Sequence, residues 1–259
     1  MLLRDRVACV SGVGPGLGRE IALHLAREGA DLVLSARRTE VLASTAREVE
    51  ALGRRALAVP GDVTRAADRH AIVSKTREAF GRLHVLVNNA YNPGTYLPFE
   101  RDDLEHWRAP FEVNVLGSLG LTQELLPLLR AAGGASVVMV NSMIVRRPLP
   151  TMGGYAASKA ALLAASKTLA RELGPFGIRV NSVLPGYIWG PALEGYFAQQ
   201  ARSRGVEPRA VYDEVAREIA LGRIPTSEEV ARAVLFFASD LSAAATGASL
   251  DVNGGHELP

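Results

Sequence analysis

The sequence predicts a doubly wound α/β fold: a parallel sheet of about seven strands with helices on both faces. Three observations point to it. Short apolar runs of strand length alternate with helix-length amphipathic stretches along the chain. No repeat or low-complexity linker divides the 259 residues, a length that suits one domain over residues 1–259. Four glycines, Gly12, Gly14, Gly16 and Gly18, fall where the first apolar run hands over to the first amphipathic one.

The elements follow in order. Val7–Val10 is wholly apolar, as a strand covered on both faces should be. Arg19–Glu28 reads as a helix with Ile21, Ala22 and Leu25 on one face and Gly29 as its stop. Asp31–Ala36 is the second strand, and Thr39–Leu52, closed by Gly53, the second helix. Next come the strand Ala56–Val59, a helix from about Thr64 to Phe80 closed by Gly81, and the strand Val85–Val87. A long helical stretch covers about Arg101–Ala131. The strand Ser136–Val140, the helix Gly153–Leu173 and the strand Arg179–Leu184 follow it. Late helices span Pro191–Arg204, Pro208–Leu221 with Gly222 as stop, and Ser227–Ala238, where Thr226 and Glu229 are spaced as a capping box. Ser249–Val252 is the last strand. Right-handed crossovers between parallel strands then favour a doubly wound sheet.

Composition excludes some partners. The net charge is +2 and the basic pairs Arg37-Arg38, Arg54-Arg55 and Arg146-Arg147 form no stripe, so nucleic acid is not an expected partner. The lone cysteine, Cys9, sits in the first apolar run as a core residue; no internal disulfide can form, which fits a reducing compartment. The first residues, MLLRDRVACVSG, lack a signal peptide's apolar stretch, and no run is long enough to span a bilayer. The expectation is a soluble cytoplasmic protein with no membrane partner and no metal site.

The glycine turn lies at the carboxyl edge of such a sheet, beside the crevice where strand order reverses and ligands bind. A helix N-terminus there offers free N–H groups and partial positive charge, and glycines let backbone approach a pyrophosphate. The spacing is G-x-x-x-G-x-G through Gly12, Gly16 and Gly18, with Gly14 extra and Leu17 between the last two. The pattern G-x-G-x-x-G does not fit, because Leu17 or Arg19 holds the sixth place. By itself the turn is either a dinucleotide cradle or a glycine-rich turn with no ligand.

Four further signals fall at the same edge. In GDVT, residues 61–64, Asp62 beside Val63 either accepts from an adenine amino group or begins the next helix. In NNA, residues 88–90, Asn88, Asn89 and Ala90 either tie loops under a cofactor or form a polar turn. NSM, residues 141–143, places Ser142 at the end of the fifth strand. YAASK, residues 155–159, puts Tyr155 and Lys159 on one helix face.

Taken together, these marks resemble the short-chain dehydrogenase/reductase family over essentially the whole chain. They are SGVGPGLG, GDV, NNA, Asn114 in EVNVLGS, Ser142, YAASK, LPG at 184–186 and the terminal DVNGG. The resemblance implies a Rossmann-type fold, a nicotinamide cofactor and a catalytic set of four. Tyr155 is the implied general acid or base, and Ser142 orients the carbonyl oxygen. Lys159 holds the nicotinamide ribose, and Asn114 anchors a relay water through its backbone. A tyrosine titrates near pH ~10 when unperturbed, and the Lys159 cation and an oxidised nicotinamide are expected to lower that value.

The loop LSARR selects between cofactors. An NAD site presents an acidic side chain after the second strand; here Ala36 takes that place, no carboxylate appears before Glu40, and Arg37 follows at once. NADP(H) is therefore expected over NAD(H), with Arg37 pairing a 2′-phosphate and Ser35 and Arg38 assisting. The alternative is two solvated arginines. Further cofactor contacts are expected from Asn89, Ala90, Pro185, Gly186 and Ile188.

Three positions depart from the family pattern. Tyr91 stands where glycine is typical and is expected to narrow the pocket mouth. Gly190 stands where a threonine commonly contacts phosphates. Asn253 replaces an aspartate, with little effect expected. Residues 186–222 are expected to form a substrate lid. Tyr187, Trp189, Tyr196 and Phe197 would supply apolar area there, with Met143, Ile144 and Met152 flanking the catalytic residues. Such a pocket suits a hydrophobic or cyclic ketone or alcohol; alternatively the aromatics only pack the lid. Arg202, Arg204 and Arg209 could meet an anionic carrier such as coenzyme A, or are simply exposed arginines.

The expected function is hydride transfer between NADP(H) and a carbonyl/secondary alcohol pair. The alternatives are a 3-oxoacyl-thioester reductase and a non-catalytic NADP(H)-binding regulatory protein. The family commonly forms tetramers, and the apolar stretches Glu112–Leu129 and Ala156–Leu173 suit either a homo-oligomer, tetramer or dimer, or ordinary packing on the sheet.

Overall fold

In a computed structural model that describes residues 1–258, seven strands form one sheet: β1 (Val7–Ser11), β2 (Asp31–Ala36), β3 (Ala56–Pro60), β4 (Val85–Asn88), β5 (Ala135–Val140), β6 (Ile178–Pro185) and β7 (Ser249–Val252). Their order is β3-β2-β1-β4-β5-β6-β7 and every pairing is parallel. Strand order reverses between β1 and β4, so the connections leaving these strands part to opposite faces and open a crevice at the carboxyl edge. Register places Ser11 beside both Ser35 and Asn88 along that edge.

Alternation along the strands builds two cores. Ala8 and Val10 face one layer, which holds α1 (Leu17–Arg27), α2 (Thr39–Ala51) and α9 (Ser227–Ala238). Val7 and Cys9 face the other, which holds α3 (Ala66–Phe80), α5 (Ser118–Ala131) and α6 (Gly153–Leu173). Burial pushes the Cys9 thiol up to about 12, so it is an inert core residue. A third, smaller core joins α7 (Pro191–Arg204) to α8 (Pro208–Glu218) through Phe197, Val211, Ile219 and Ile224. Among the described residues no helix is long and apolar enough to cross a membrane.

Helix boundaries moved where side chains intervened. The third helix starts at Ala66 rather than Thr64, because Asp62 Oδ1 accepts from both the Thr64 N–H (2.9 Å) and its hydroxyl (2.8 Å) and holds a turn there. The long stretch Arg101–Ala131 is three pieces: α4 (Glu105–Pro110), a π-helical segment Phe111–Gly117, and α5. Asp102 accepts from Thr95 Oγ1 (2.8 Å) and Trp107 Nε1 (2.9 Å), which fixes the chain before α4. Pro110, lacking an N–H, removes a helical donor where the wider turns begin. α8 stops at Glu218, three residues early: Ile219 turns extended into the small core and the Leu221 N–H donates to Gly254 O (3.0 Å). The capping box on α9 formed, with Thr226 Oγ1 accepting from Glu229 N (3.3 Å) and Glu229 accepting from Thr226 N (2.9 Å).

Candidate active site

β1 delivers the chain into the glycine turn, and each glycine there has its own reason. Gly12 has φ +95°. A Cβ on Gly12 would stand 2.3 Å from Ala90 N, and one on Gly18 would stand 2.3 Å from the Gly12 carbonyl oxygen. Both positions are crowded by backbone, and Asn89 Nδ2 locks the arrangement by donating to Gly12 O (2.7 Å). Gly14 and Gly16 are different. A Cβ there would meet nothing nearer than the Arg38 guanidinium at 3.9 Å and Ser227 Oγ at 3.6 Å. The middle of the turn is thus open backbone, and α1 begins at Leu17 with no side chain capping it.

Ser142 leaves β5 in extended conformation and opens a short 3₁₀ turn, its Oγ accepting from Ile144 N (3.2 Å). That bond uses a lone pair and leaves the hydroxyl proton free to donate. Tyr155 and Lys159 lie one helical turn apart near the start of α6. Lys159 is fully enclosed; its Nζ donates to Val140 O (2.8 Å) and sits 5.8 Å from the centre of the Tyr155 ring. Burial drives Lys159 down to about 7. Burial also raises Tyr155 above its usual value, with the nearby Ser142 hydroxyl pulling the other way. The expected lowering of Tyr155 by Lys159 is therefore not what the protein alone produces. Desolvation dominates both groups, and the amine that would offset it is itself driven toward neutrality.

Asn114 is wholly buried in the π-helical segment. It accepts from Asn92 N (2.7 Å) and donates to Asn92 O (3.0 Å) and Ser158 Oγ (2.9 Å). Its side chain ties the loop after β4 to α6 beside Lys159. The π-helical winding shifts carbonyls out of the regular helical ladder at that point.

Across the crevice, the Ser35 hydroxyl at the end of β2 is buried with no hydrogen-bond partner among the described residues. Arg37 and Arg38 are exposed and make no ion pair among the described residues. Arg38 leans over Gly14. Arg37 faces Asp62, whose carboxyl burial would raise but whose bonds from Thr64, with Arg37 and Arg65 nearby, hold it below its usual range. One oxygen of Asp62 thus builds the turn that precedes α3. Val63 is buried against Gly117, Ala90 is pressed on Gly12, and Ile188 packs on the first core. Gly186 is crowded by Asn253 and Met143 Sδ, where a Cβ would stand 2.8 and 3.1 Å from them.

Met143 and Ile144 are buried, Met152 is half-buried, and Tyr91 is exposed on its loop. Trp189 sits edge-on to Tyr212 (4.8 Å) and belongs to the small core, so packing the lid helices is its main contact. Tyr187 stacks on His256 (5.7 Å, 28°). Of the three arginines placed for an anionic carrier, Arg204 is held two-pronged by Glu214 (2.8 and 2.7 Å) and Arg209 by Asp213 (2.9 Å). Asn253 matters more than anticipated: it accepts from Gly255 N (2.8 Å) and His256 N (3.2 Å) and donates to Glu257 O (2.9 Å), folding the tail so that His256 reaches Tyr187. Glu218 accepts from Arg147 (2.8 Å), on the Ser142 loop, and lies 3.3 Å from His256 Nε2.

Two residues at this edge escaped sequence reading. Ser227 lies between Gly16 and Gly190, 3.6 and 3.9 Å from where their Cβ atoms would be, a placement set by the packing of α1 on α9. Tyr96 stacks on Tyr196 (6.3 Å, 27°) from a loop with no motif. Among the described residues no group of His, Cys, Asp and Glu could hold a metal ion.

Comparison with known proteins decides the family. The model described as enoyl-(acyl carrier protein) reductase matches residues 12–257. A short chain dehydrogenase/reductase of Aspergillus oryzae is 36% identical over 258 residues, covering 99% of this chain and 96% of its own. The chain belongs to the short-chain dehydrogenase/reductase family. A 3-oxoacyl-[acyl-carrier-protein] reductase of the same family, from Thermotoga maritima, is 34% identical over 260 residues, with 98% of this chain and 99% of the relative covered. Among solved structures, L-sorbose reductase from Gluconobacter frateurii, complexed with NADPH and L-sorbose, superposes with a TM-score of 0.94 at 32% identity, covering 99% and 98% of the two chains. Levodione reductase gives 0.91 at 30%, covering 98% of each. As a member of this family the chain is an oxidoreductase of the CH–OH/C=O type with a Rossmann-type fold.

Proposed function

We propose that this chain transfers a hydride between NADP(H) and a compact, hydrophobic or cyclic carbonyl/secondary alcohol pair. It would do so as one domain of residues 1–259 in which 186–222 form the substrate lid. The observation that carries this reading is the meeting of Ser142, Tyr155 and Lys159 at the sheet edge that also holds the open glycine turn.

The residues present fit a dinucleotide. Gly14 and Gly16 keep backbone uncovered, the buried Ser35 hydroxyl lacks a partner among the described residues, and Arg37 and Arg38 are uncommitted cations beside it. Gly12, Gly14, Gly16, Leu17 and Gly18 would hold the pyrophosphate, joined by Ser227 where Gly190 offers no hydroxyl. Asp62 and Val63 would border the adenine. Asn89, Ala90, Pro185, Gly186 and Ile188, with Tyr155 and Lys159, would hold the nicotinamide half. When bound, the cofactor supplies the hydride and, once oxidised, a positive ring.

This chain's own residues would handle the proton. Ser142 donates to the substrate oxygen, and Tyr155 gives its proton to the same oxygen as charge builds there. A raised pKa keeps Tyr155 protonated until that moment. Lys159, lowered to about 7 by burial, would stabilise the resulting tyrosinate in its protonated form. Asn114, set in the π-helical turn, would present its carbonyl to a relay water. A homo-oligomer, tetramer or dimer, through Glu112–Leu129 and Ala156–Leu173, and a cytoplasmic location belong to the same proposal; Leu116 in the first stretch is 56% exposed.

Arg37 and Arg38 favour NADP(H), and the NADPH in the L-sorbose reductase complex supports it. Reduction of 3-oxoacyl thioesters is a second reading, favoured by the Thermotoga relative. The ion pairs that occupy Arg204 and Arg209 weigh against it.

Titration of the purified protein with NADPH and NADH, followed by nicotinamide fluorescence, tests the cofactor. NADPH should bind more tightly. Arg37→Ala or Arg38→Ala should weaken NADPH by roughly 10-fold or more, the scale of a charge-assisted hydrogen bond, and leave NADH unchanged. Equal binding of the two cofactors by the unaltered protein would refute the preference.

A further inference from the structure

A cavity of about 420 Å³ opens at the amino edge of the sheet, the end opposite the glycine turn. Its walls come from where strands begin: Arg6 just before β1, His84 just before β4, Ala135 opening β5 and Arg179 near the start of β6. The volume falls in the range of small-molecule sites. Leu3, Val85 and Ile178 supply apolar wall, and a Cβ on Gly133 or Gly134 at the lip would meet nothing within 4 Å. The side chains that matter here are donors. His84 is 6% exposed, and its Nδ1 accepts from Val7 N (2.9 Å). The ring proton therefore sits on Nε2, which has no hydrogen-bond partner among the described residues. Burial, with Arg6 and Arg82 nearby, holds His84 down to about 4, so the ring is a neutral donor. Arg179 gives its Nη groups to neutral acceptors, Phe237 O (3.1 Å), Ser242 Oγ (2.8 Å) and Ser239 O (3.1 Å), and its Nε donates to nothing among the described residues. Arg6 Nη2 lies 3.6 Å from Asp240 Oδ2, too far for a good hydrogen bond, and the Asp240 side chain is 83% exposed at the rim. That carboxylate stands near both cations and leaves their free donors, and His84 Nε2, unbonded. A buried donor without a partner is costly, and an oxyanion relieves that cost with charge-assisted bonds.

We propose that the amino edge of the sheet carries a second binding site, for a compact organic oxyanion: a carboxylate or phosphate head on a small apolar body. The head meets Arg6 and His84 Nε2, with Arg179 beside them, and the body lies along Leu3, Val85 and Ile178. The site is distinct from the glycine turn, Arg37 and Arg38, which lie at the carboxyl ends of β1 and β2. It needs neither the cofactor nor the catalytic set, so it stands whether or not the carbonyl-reductase reading does.

Calorimetric titration of the full-length protein with benzoate, phenyl phosphate and, as their neutral match, benzyl alcohol tests the site. The anions should bind roughly 10-fold or more tightly than the alcohol. Binding of both fits a general oxyanion site; binding of one alone supports the site and fixes its head as carboxylate or phosphate. Arg6→Gln should weaken the anions roughly 10-fold, the scale of a charge-assisted hydrogen bond. His84→Asn, which keeps an acceptor for Val7 N, should weaken them about 3- to 10-fold. Asp240→Asn removes the like charge at the rim and should tighten them about 2- to 5-fold. Should His84→Asn fail to fold, the opposite signs at Arg6 and Asp240, whose side chains are 37% and 83% exposed, still decide the matter. Arg37→Ala, at the other edge, should leave the affinity of this site unchanged. No binding of either anion, an alcohol that binds as tightly, or losses that follow Arg37→Ala and not Arg6→Gln would overturn the proposal.

Discussion

Replacing Lys159 with methionine should make the protein more stable while removing its activity. Lys159 is 2% exposed, and its only hydrogen bond among the described residues goes to Val140 O. Burial lowers its pKa from 10.5 to about 7. At ~1.4 kcal/mol for each tenfold change in proton affinity, that drop is an unfavourable contribution of about 5 kcal/mol. Below pH 7 the amine is charged in both folded and unfolded chains, so the full penalty applies. Between about 7 and 10.5 the unfolded chain still binds the proton and the folded one does not, so stability rises with pH and the penalty fades. Methionine fills similar volume without charge, but leaves the Val140 carbonyl unpaired at a cost of about 1–3 kcal/mol. The net gain is about 2–4 kcal/mol at neutral pH, or roughly 5–15 °C in Tm for a chain of this size. Thermal melts of both proteins between pH 6 and 10 provide the assay. The gap should be widest at the acid end, close as pH rises and reverse once the lysine penalty falls below the cost of the unpaired Val140 carbonyl. A Lys159→Met protein that is less stable at about pH 6, or a gap that ignores pH, would refute the desolvation argument.

Three other perturbations have defined outcomes. Gly12→Ala should destabilise by several kcal/mol, since its Cβ would stand 2.3 Å from Ala90 N at a φ of +95°; Gly14→Ala, whose Cβ would meet only Arg38 at 3.9 Å, should fold normally, as denaturant melts will show. Asn253→Asp keeps the acceptors but cannot donate to Glu257 O. It should cost about 1 kcal/mol and release His256 from Tyr187, measured by melts and by hydrogen exchange in the tail. Thr151 is β-branched at φ +68°, just before α6; Thr151→Gly should raise stability by about 1 kcal/mol, and a loss instead would show that its side chain makes compensating contacts.

Much of the fold was legible because its signals are local. Apolar runs such as Val7–Val10 become strands buried on both faces, and Thr226 with Glu229 forms the capping box its spacing announces. The boundaries that moved did so through side chains acting across a turn, as Asp62 does on Thr64 and Asp102 on Trp107. The edge positions of Ser142, Tyr155 and Lys159 were readable from order alone, since a strand end and a helix face suffice to place them. Their electrostatics were not. Charge proximity predicts a lowered Tyr155, but the outcome depends on how much protein encloses both groups, a property of packing. Ser227 and Tyr96 were invisible for a similar reason. Each reaches the site through a contact between elements distant in sequence, α1 with α9 and the loop after β4 with α7.

The central claim is that Tyr155 delivers a proton while hydride passes to a carbonyl carbon at this sheet edge. Its most direct test is a single turnover with NADPH carrying deuterium at the transferable position and a cyclic ketone. The product is read by mass spectrometry in the unaltered protein and in Tyr155→Phe. Deuterium on the carbinol carbon in the unaltered protein, with none above background in the variant and NADPH affinity preserved in both, is the predicted result. Transfer at an undiminished rate in Tyr155→Phe would contradict the account, as would tight NADPH binding without any label reaching a carbonyl substrate.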